Sequence, residues 1–126
     1  MNYENFVERY VAVWTETDPE TRRKMIPELW AEDGVEYIEN AEYRGHEAIE
    51  ARVTAAHDEF FRDVGHVLRA AGDTVAHNLG VRFTIYILPA GGGGITWTGA
   101  VFAKLGDDGL IEFDYQFGDP PSPRVP

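Results

Sequence analysis

The spacing of apolar residues along the first half of the chain predicts three helices. Over residues 3–15, apolar side chains recur three or four positions apart, which is the stripe of an amphipathic helix. Asp18, followed directly by a proline, is a start signal for a second helix. Pro27 should divide this second helix into two short pieces, and Gly34 should end it in a left-handed conformation. The same spacing predicts a third helix that begins at His46 and ends before residue 65.

The pattern changes in the second half, where residues favoured in strands dominate. A short strand is predicted at "VEYIE", and four longer β-branched and aromatic segments follow the third helix. Glycine-containing turns such as "AGGGG" and "GDDG" separate these segments, which indicates an antiparallel meander. Helices segregated from an antiparallel sheet define an α+β fold. We expect one domain over residues 1–119 and a proline-rich tail over residues 120–126.

Charge and composition narrow the range of partners. The formal net charge is −11, and such a surface repels nucleic acid and anionic membranes. The apolar runs are too short to span a bilayer, and the first residues lack the apolar core of a signal peptide. The chain has no cysteine, so no disulfide gives information on its compartment. A cytoplasmic location is therefore the default expectation.

Missing residue types exclude several kinds of chemistry. Without cysteine there is no thiolate nucleophile or thiolate zinc site, and Ser122 is the only serine, so a serine triad is excluded. No phosphate-binding glycine motif occurs. The four histidines offer no pair spaced as metal ligands on one helix or strand, so we expect no metal. What remains is general acid–base chemistry by carboxylates, histidines and tyrosines, without a cofactor.

Several segments resemble the nuclear transport factor two-like superfamily, with the SnoaL-like and ketosteroid isomerase-like branch as the nearest fit. The resemblance is carried by "FVERYVAVW", "LWAEDGVEYI", "YRGHEAIEARV" and "GDDGLIEFDYQFGD", and it covers residues 3–119. It implies a strongly curved sheet that wraps around a helix to form a cone. Such a cone opens to an internal apolar pocket, and its outer sheet face often forms a homodimer. The fold hosts isomerases, cyclases, dehydratases and binding proteins, so it does not by itself give a function.

The resemblance also implies positions for catalytic groups. Tyr10 matches the tyrosine that stabilises an oxyanion in ketosteroid isomerases. The position of their catalytic base falls near Ile38, and that of their second oxyanion donor near Gly99 or Ala100, where the chain has no carboxyl group. In SnoaL-like cyclases an aspartate late in the sheet serves as acid or base. Asp114 is the late-strand candidate.

The final strand, "LIEFDYQFG", has one aromatic face and one polar face. Matching it to the last strand of ketosteroid isomerases turns Phe113, Tyr115 and Phe117 toward the cavity and leaves Asp114 outside. A bulge would reverse this arrangement, because a slip of one residue exchanges the two faces. We expect the aromatic face to line the cavity.

These considerations predict an enzyme or enzyme-like protein that binds a hydrophobic cyclic small molecule in an aromatic pocket and transfers protons. Tyr10, His57 and Asp114 are the candidate catalytic residues: Tyr10 would polarise a carbonyl, and His57 or Asp114 would move the proton. The alternative is a non-catalytic ligand-binding or dimeric accessory protein of the same fold. The predicted ligand-binding residues are aromatic: Trp14, Trp30, Tyr37, Phe60, Phe83, Trp97, Phe113, Tyr115 and Phe117.

Overall fold

A computed structural model describes residues 2–119, in which three helices accompany a seven-stranded, curved and unclosed sheet. The tail predicted for residues 120–126 lies outside the described residues. The helices are α1 (Tyr3–Thr15), α2 (Pro19–Leu29) and α3 (His46–Phe60). The strands are β1 (Trp30–Ile38), β2 (Ala41–Arg44), β3 (His66–Ala70), β4 (Val75–His77), β5 (Gly80–Pro89), β6 (Trp97–Leu105) and β7 (Ile111–Asp119).

The helix prediction from apolar spacing is confirmed for α1 and α3. Helix α1 begins where Asn2 accepts a hydrogen bond from the backbone N–H of Asn5 at 3.0 Å. Asp18 caps α2 in the same way, with the N–H of Thr21 at 3.1 Å from its carboxylate. These caps satisfy N–H groups that have no partner inside the helix.

The prediction that Pro27 divides the second helix is wrong. Helix α2 runs without a break from Pro19 to Leu29, with Pro27 inside it. The proline lies in the last turn, so the chain loses one helical hydrogen bond close to a point where the helix ends anyway. The N–H of Trp30 still closes the turn by donating to the carbonyl of Ile26.

The first strand also begins earlier than predicted. Strand β1 starts at Trp30, so Gly34 lies inside a strand and not at a helix end. Gly34 does not have a positive φ. A Cβ atom at this position would lie 2.9 Å from the carbonyl oxygen of Ile111, so glycine is needed here because the backbone of β7 approaches closely.

The sheet has the order β2-β1-β7-β6-β5-β3, with β4 paired to β5. The prediction of an antiparallel sheet holds for every neighbouring pair except β1 and β7, which are parallel. This parallel pair places Glu36 directly beside Asp114. Strand β7 therefore lies between β1, from the first half of the chain, and β6, from the second half. It brings side chains of β1 into contact with its own.

A β-bulge sets which side chains of β7 point inward. Lys104 pairs with Phe113 while Leu105 pairs with Ile111, so Glu112 is an extra residue in β7. Beyond the bulge, Asp114 is fully buried. The side chains that alternate with it point to the outer face of the sheet.

The helices pack against the inner face of the sheet around an aromatic core. The ring of Tyr10 on α1 lies 5.3 Å from that of Phe83 on β5 and 5.9 Å from that of Trp30, measured between ring centroids. All three side chains are buried. Within the described residues, no helix has both the length and the apolar character needed to cross a bilayer.

Candidate functional site

Asp114 lies at the centre of a buried polar site. Its Oδ1 atom accepts a hydrogen bond from Nε1 of Trp30 at 2.8 Å, and its Oδ2 atom accepts one from the hydroxyl of Tyr10 at 2.9 Å. None of the three side chains is exposed to solvent. Both oxygens of Asp114 accept from donors that carry hydrogen, which is the arrangement expected of an ionised carboxylate.

Glu36 is the second buried carboxyl group of the site. It lies beside Asp114 on the neighbouring strand, and its Oε1 atom accepts a hydrogen bond from Nε of Arg52 at 3.1 Å. Its Oε2 atom is buried and makes no hydrogen bond within the described part of the chain. The guanidinium of Arg52 forms an ion pair with Glu36, and Asp114 accepts from neutral donors, so ionisation of both carboxyl groups would leave an uncompensated buried charge.

Burial raises the pKa values of Asp114, Glu36 and Tyr10. Burial raises the pKa of Asp114 from 3.8 to about 6, although hydrogen bonds from Trp30 and Tyr10 favour its charged form. Burial, followed by the charge of Asp114, raises the pKa of Glu36 well above 4.5. The pKa of the Tyr10 phenol is raised well above 10.0, chiefly by burial. Glu36 has the unpaired oxygen and a raised pKa, so it is the better placed of the two carboxyl groups to hold a proton.

Gln116 and Arg52 connect these groups. The Gln116 Nε2 atom donates to the Tyr10 hydroxyl at 2.7 Å, and Arg52 Nη2 donates to the Gln116 Oε1 atom at 3.3 Å. The hydrogen bonds thus run in one direction, from Arg52 through Gln116 and Tyr10 to Asp114. We call this set the buried polar cluster; it comprises Tyr10, Glu36, Arg52, Asp114 and Gln116.

A cavity of about 680 Å³ opens beside the buried polar cluster. Arg52 and Gln116 belong to both, since they also line the cavity, whereas Tyr10, Glu36 and Asp114 lie behind them. The remaining walls are aromatic and aliphatic, with carboxylates and an amide as well, so the cavity is not purely apolar. Its other lining residues are Trp14, Ile38, Glu39, Asn40, Ala41, Tyr43, Ala56, Glu59, Phe60, Phe61, Leu68, Ile85, Ile87, Trp97 and Gly118.

Five of the nine aromatic residues predicted to bind a ligand lie at the cavity or behind it. Trp14, Phe60 and Trp97 line the cavity. Trp30 and Phe83 lie deeper and pack around Tyr10. The ring of Trp97 lies over Gly99, where an added Cβ atom would overlap it, so a side chain at this position would displace a wall of the cavity.

The expectation that the aromatic face of the last strand lines the cavity is wrong. The Glu112 bulge turns this face outward, where Tyr115 is 37% and Phe117 is 56% exposed. Tyr37 stacks on Tyr115 there, with ring centroids 4.7 Å apart. We call this surface the outer aromatic strip; it comprises Tyr37, Phe102, Phe113, Tyr115 and Phe117.

His57 also lies away from the cavity. Its ring is buried between α2 and α3, where Nδ1 is 3.3 Å from Nη2 of Arg22 and 3.6 Å from the carboxylate of Asp58. It does not contribute to the cavity lining. His57 lies on the apolar side of α3 because it packs against α2. It is therefore not placed to exchange a proton with a ligand in the cavity.

Sequence reasoning missed three members of the buried polar cluster: Glu36, Arg52 and Gln116. A weak signal existed for each. Glu36 and Gln116 alternate with apolar neighbours in a strand, and Arg52 lies between the apolar positions of α3. Within the described residues, no group of three histidine, aspartate or glutamate side chains is arranged to hold a metal ion.

The curved, unclosed sheet and the three helices define an α+β protein of the nuclear transport factor two-like fold. The sequence matches the SnoaL-like domain over residues 7–113. The chain therefore belongs to the SnoaL-like family.

Solved structures share this fold. One is a candidate isomerase of the SnoaL-like family from Agrobacterium tumefaciens, with 26% identity, a TM-score of 0.81, and coverage of 91% of this chain and 95% of that one. A candidate polyketide cyclase from Sinorhizobium meliloti has 18% identity and a TM-score of 0.67, with 89% and 93% of the chains covered. A de novo designed protein with a curved sheet has 18% identity and a TM-score of 0.69, with 93% and 84% covered. Comparison with curated proteins gave no match.

Proposed function

We propose that this protein is an enzyme that moves protons on a hydrophobic cyclic small molecule, in a reaction of the isomerase, cyclase or dehydratase type that needs no cofactor. The observation that carries this proposal is the chain of hydrogen bonds from Arg52, at the cavity wall, to the buried carboxylate of Asp114. The two similar structures named as a candidate isomerase and a candidate polyketide cyclase are consistent with it.

In this proposal Arg52 and Gln116 hold the carbonyl oxygen of the ligand. Arg52 has N–H groups on Nη1 that neither Glu36 nor Gln116 uses, and the Gln116 amide has a second N–H besides the one directed at Tyr10. Donors fixed in place before the reaction stabilise negative charge on an oxygen as an enolate forms. Glu36 holds Arg52, so the guanidinium needs little reorganisation, whereas the Gln116 side chain shifts when a ligand approaches Tyr10.

Asp114 is the proposed acid–base group, and Tyr10 connects it to the cavity wall. A carboxyl group with a pKa of about 6 changes its protonation state close to neutral pH, which suits proton transfer. The Tyr10 hydroxyl already donates to Asp114, and it would pass its proton to Asp114 as it takes one from the ligand, so that the phenol stays neutral. Gln116 covers this hydroxyl, so its side chain must move for a ligand to reach it.

Exchange of α-protons tests the proposal without knowledge of the natural substrate. Cyclic ketones with the purified protein in D₂O should exchange their α-protons faster than in buffer, as measured by proton NMR. Tyr10→Phe should lower the rate about 100-fold, because it removes a hydroxyl on the proton path. His57→Gln, which keeps an acceptor for Arg22 away from the cavity, should leave the rate unchanged. Equal rates for Tyr10→Phe and wild type would contradict the proposal.

A second candidate is a ligand-binding protein without catalytic activity. The observation that favours it is the complete burial of Tyr10 and Asp114, which places no acid–base pair directly on the cavity surface. Ligands would then bind to the wild-type protein and quench its tryptophan fluorescence, while α-proton exchange stayed at the rate of buffer alone.

We also propose that the protein forms a homodimer through the outer aromatic strip. Exposed aromatic side chains in a contiguous row are typical of a surface that another subunit covers. Light scattering should give twice the monomer mass of 14.2 kDa. Phe117→Glu should shift the protein toward monomer, because it would bury a carboxylate in the contact. Val75→Glu, at another exposed apolar residue, is the control that should stay dimeric. A wild-type monomer would refute the proposal.

A further inference from the structure

Helix α3 presents a single row of side chains along the length of the cavity. Arg52, Ala56, Glu59 and Phe60 all line it, and their spacing places them on one face of the helix. Arg52 and Glu59 are two helical turns apart, which is about 10 Å along the helix axis. The cavity thus has a positively charged group and a negatively charged group at two ends of the same row.

The two ends offer opposite kinds of hydrogen-bonding groups. At one end the guanidinium of Arg52 and the Gln116 amide, which is held by Arg52 and Tyr10, present N–H donors. At the other end Glu59 presents a carboxylate, and its exposed side chain makes no hydrogen bond or ion pair within residues 2–119. Its neighbour Asp58 differs, since its carboxylate forms an ion pair with Arg62 and lies 3.6 Å from Nδ1 of His57.

The aromatic and aliphatic walls of the cavity suit a flat ring system. Trp14 and Trp97 line the cavity together with Ile85 and Ile87 of β5. Large aromatic rings and aliphatic side chains stabilise a flat apolar body by contact over its faces. The net charge of −11, together with Glu59, disfavours a ligand with a carboxylate at this end.

We propose that the cavity binds a bicyclic or tricyclic ligand lengthwise along α3, with a carbonyl oxygen on Arg52 and Gln116 and a hydroxyl or amino group on Glu59. This specifies the ligand class for the function proposed above and rests on that function only through the shared cavity. The ligand is polar at both ends and apolar between them. Glu59 is then a residue that determines specificity and takes no part in the proton transfer.

Naphthyl ketones provide the test, because their fluorescence reports on binding. The probes are 6-amino-2-acetylnaphthalene, which has both polar groups, and 2-acetylnaphthalene, which lacks the amino group. The wild-type protein should bind the amino ketone about fivefold more tightly, because a hydrogen bond to an exposed carboxylate is worth about that factor. A ratio of one in the wild type, or no binding of either probe, would overturn the inference.

Two variants on adjacent residues isolate the contribution of Glu59. Glu59→Ala should reduce the ratio of the two dissociation constants to about one and leave the affinity for 2-acetylnaphthalene unchanged. Asp58→Ala removes a carboxylate that does not line the cavity and should keep the wild-type ratio. An unchanged ratio in Glu59→Ala would refute the assignment. Because these are binding measurements, failure of the proposed catalysis would appear separately, as an absence of α-proton exchange with normal binding ratios.

Discussion

Replacing Glu36 by glutamine should stabilise the protein at pH 7, by up to about 3 kcal/mol in the free energy of unfolding. Glu36 is fully buried, and burial followed by the charge of Asp114 raises its pKa well above 4.5. The folded protein therefore binds this proton more tightly than the unfolded chain does, and this difference costs stability as the pH rises. Glutamine has the shape of the protonated side chain and can still accept the hydrogen bond from Arg52, without this cost.

The pH dependence gives the sign of this effect. Because the folded-state pKa of Glu36 is raised, its contribution to stability is complete below pH 4.5 and is lost as the pH rises toward the folded-state pKa. Urea unfolding should thus give equal stabilities for Glu36→Gln and wild type at about pH 4, and a growing advantage for the variant up to pH 7. Glu8→Gln, at an exposed site on α1, should follow the wild-type curve. A variant less stable than wild type at pH 7 would contradict a protonated Glu36.

Replacing Asp114 by leucine should destabilise the protein by about 3 to 5 kcal/mol, because it leaves two buried donors without an acceptor. These donors are Nε1 of Trp30 and the hydroxyl of Tyr10, which both donate hydrogen bonds to the Asp114 carboxylate in the folded protein. Urea unfolding at constant pH measures the loss. Asp107→Leu, in the exposed turn before β7, removes a carboxylate without buried partners and should change stability little.

A double variant separates lost hydrogen bonds from lost packing. Tyr10→Phe removes one of the two donors, so Asp114→Leu should cost less in a Tyr10→Phe background than in the wild type. Additive losses would mean that the buried hydroxyl does not depend on Asp114, contrary to the 2.9 Å contact.

The helices and the order of elements were predictable because their signals are local. The apolar stripe of α1 and the Asp18 cap act over three or four residues, and the structure confirms both. The start of β1 was not predictable from the sequence. Trp30 pairs with Ile111 and Gly34 lies against the backbone of Ile111, and this part of β7 is far away in sequence. A local pattern carries no information on such an approach.

The candidate site was predictable only in part. Tyr10 and Asp114 could each be nominated, but their contact joins residues 104 positions apart. The face of β7 could not be assigned, because apolar and polar residues alternate on both sides of the bulge and either face is compatible with the pattern. Glu36 and Arg52 were missed because charged residues usually lie at the surface, and only the parallel β1–β7 pair shows that they meet in the interior.

The single extra residue at Glu112 has an evolutionary consequence. A deletion of one residue in the preceding turn would shift the register of the last strand by one residue. This shift would exchange the acidic and aromatic faces of the strand in one step. A protein with this deletion would have an apolar cavity and a charged outer sheet surface, with the same fold and almost the same sequence. Relatives that differ only in the length of this turn could thus acquire different ligands and different assemblies at once.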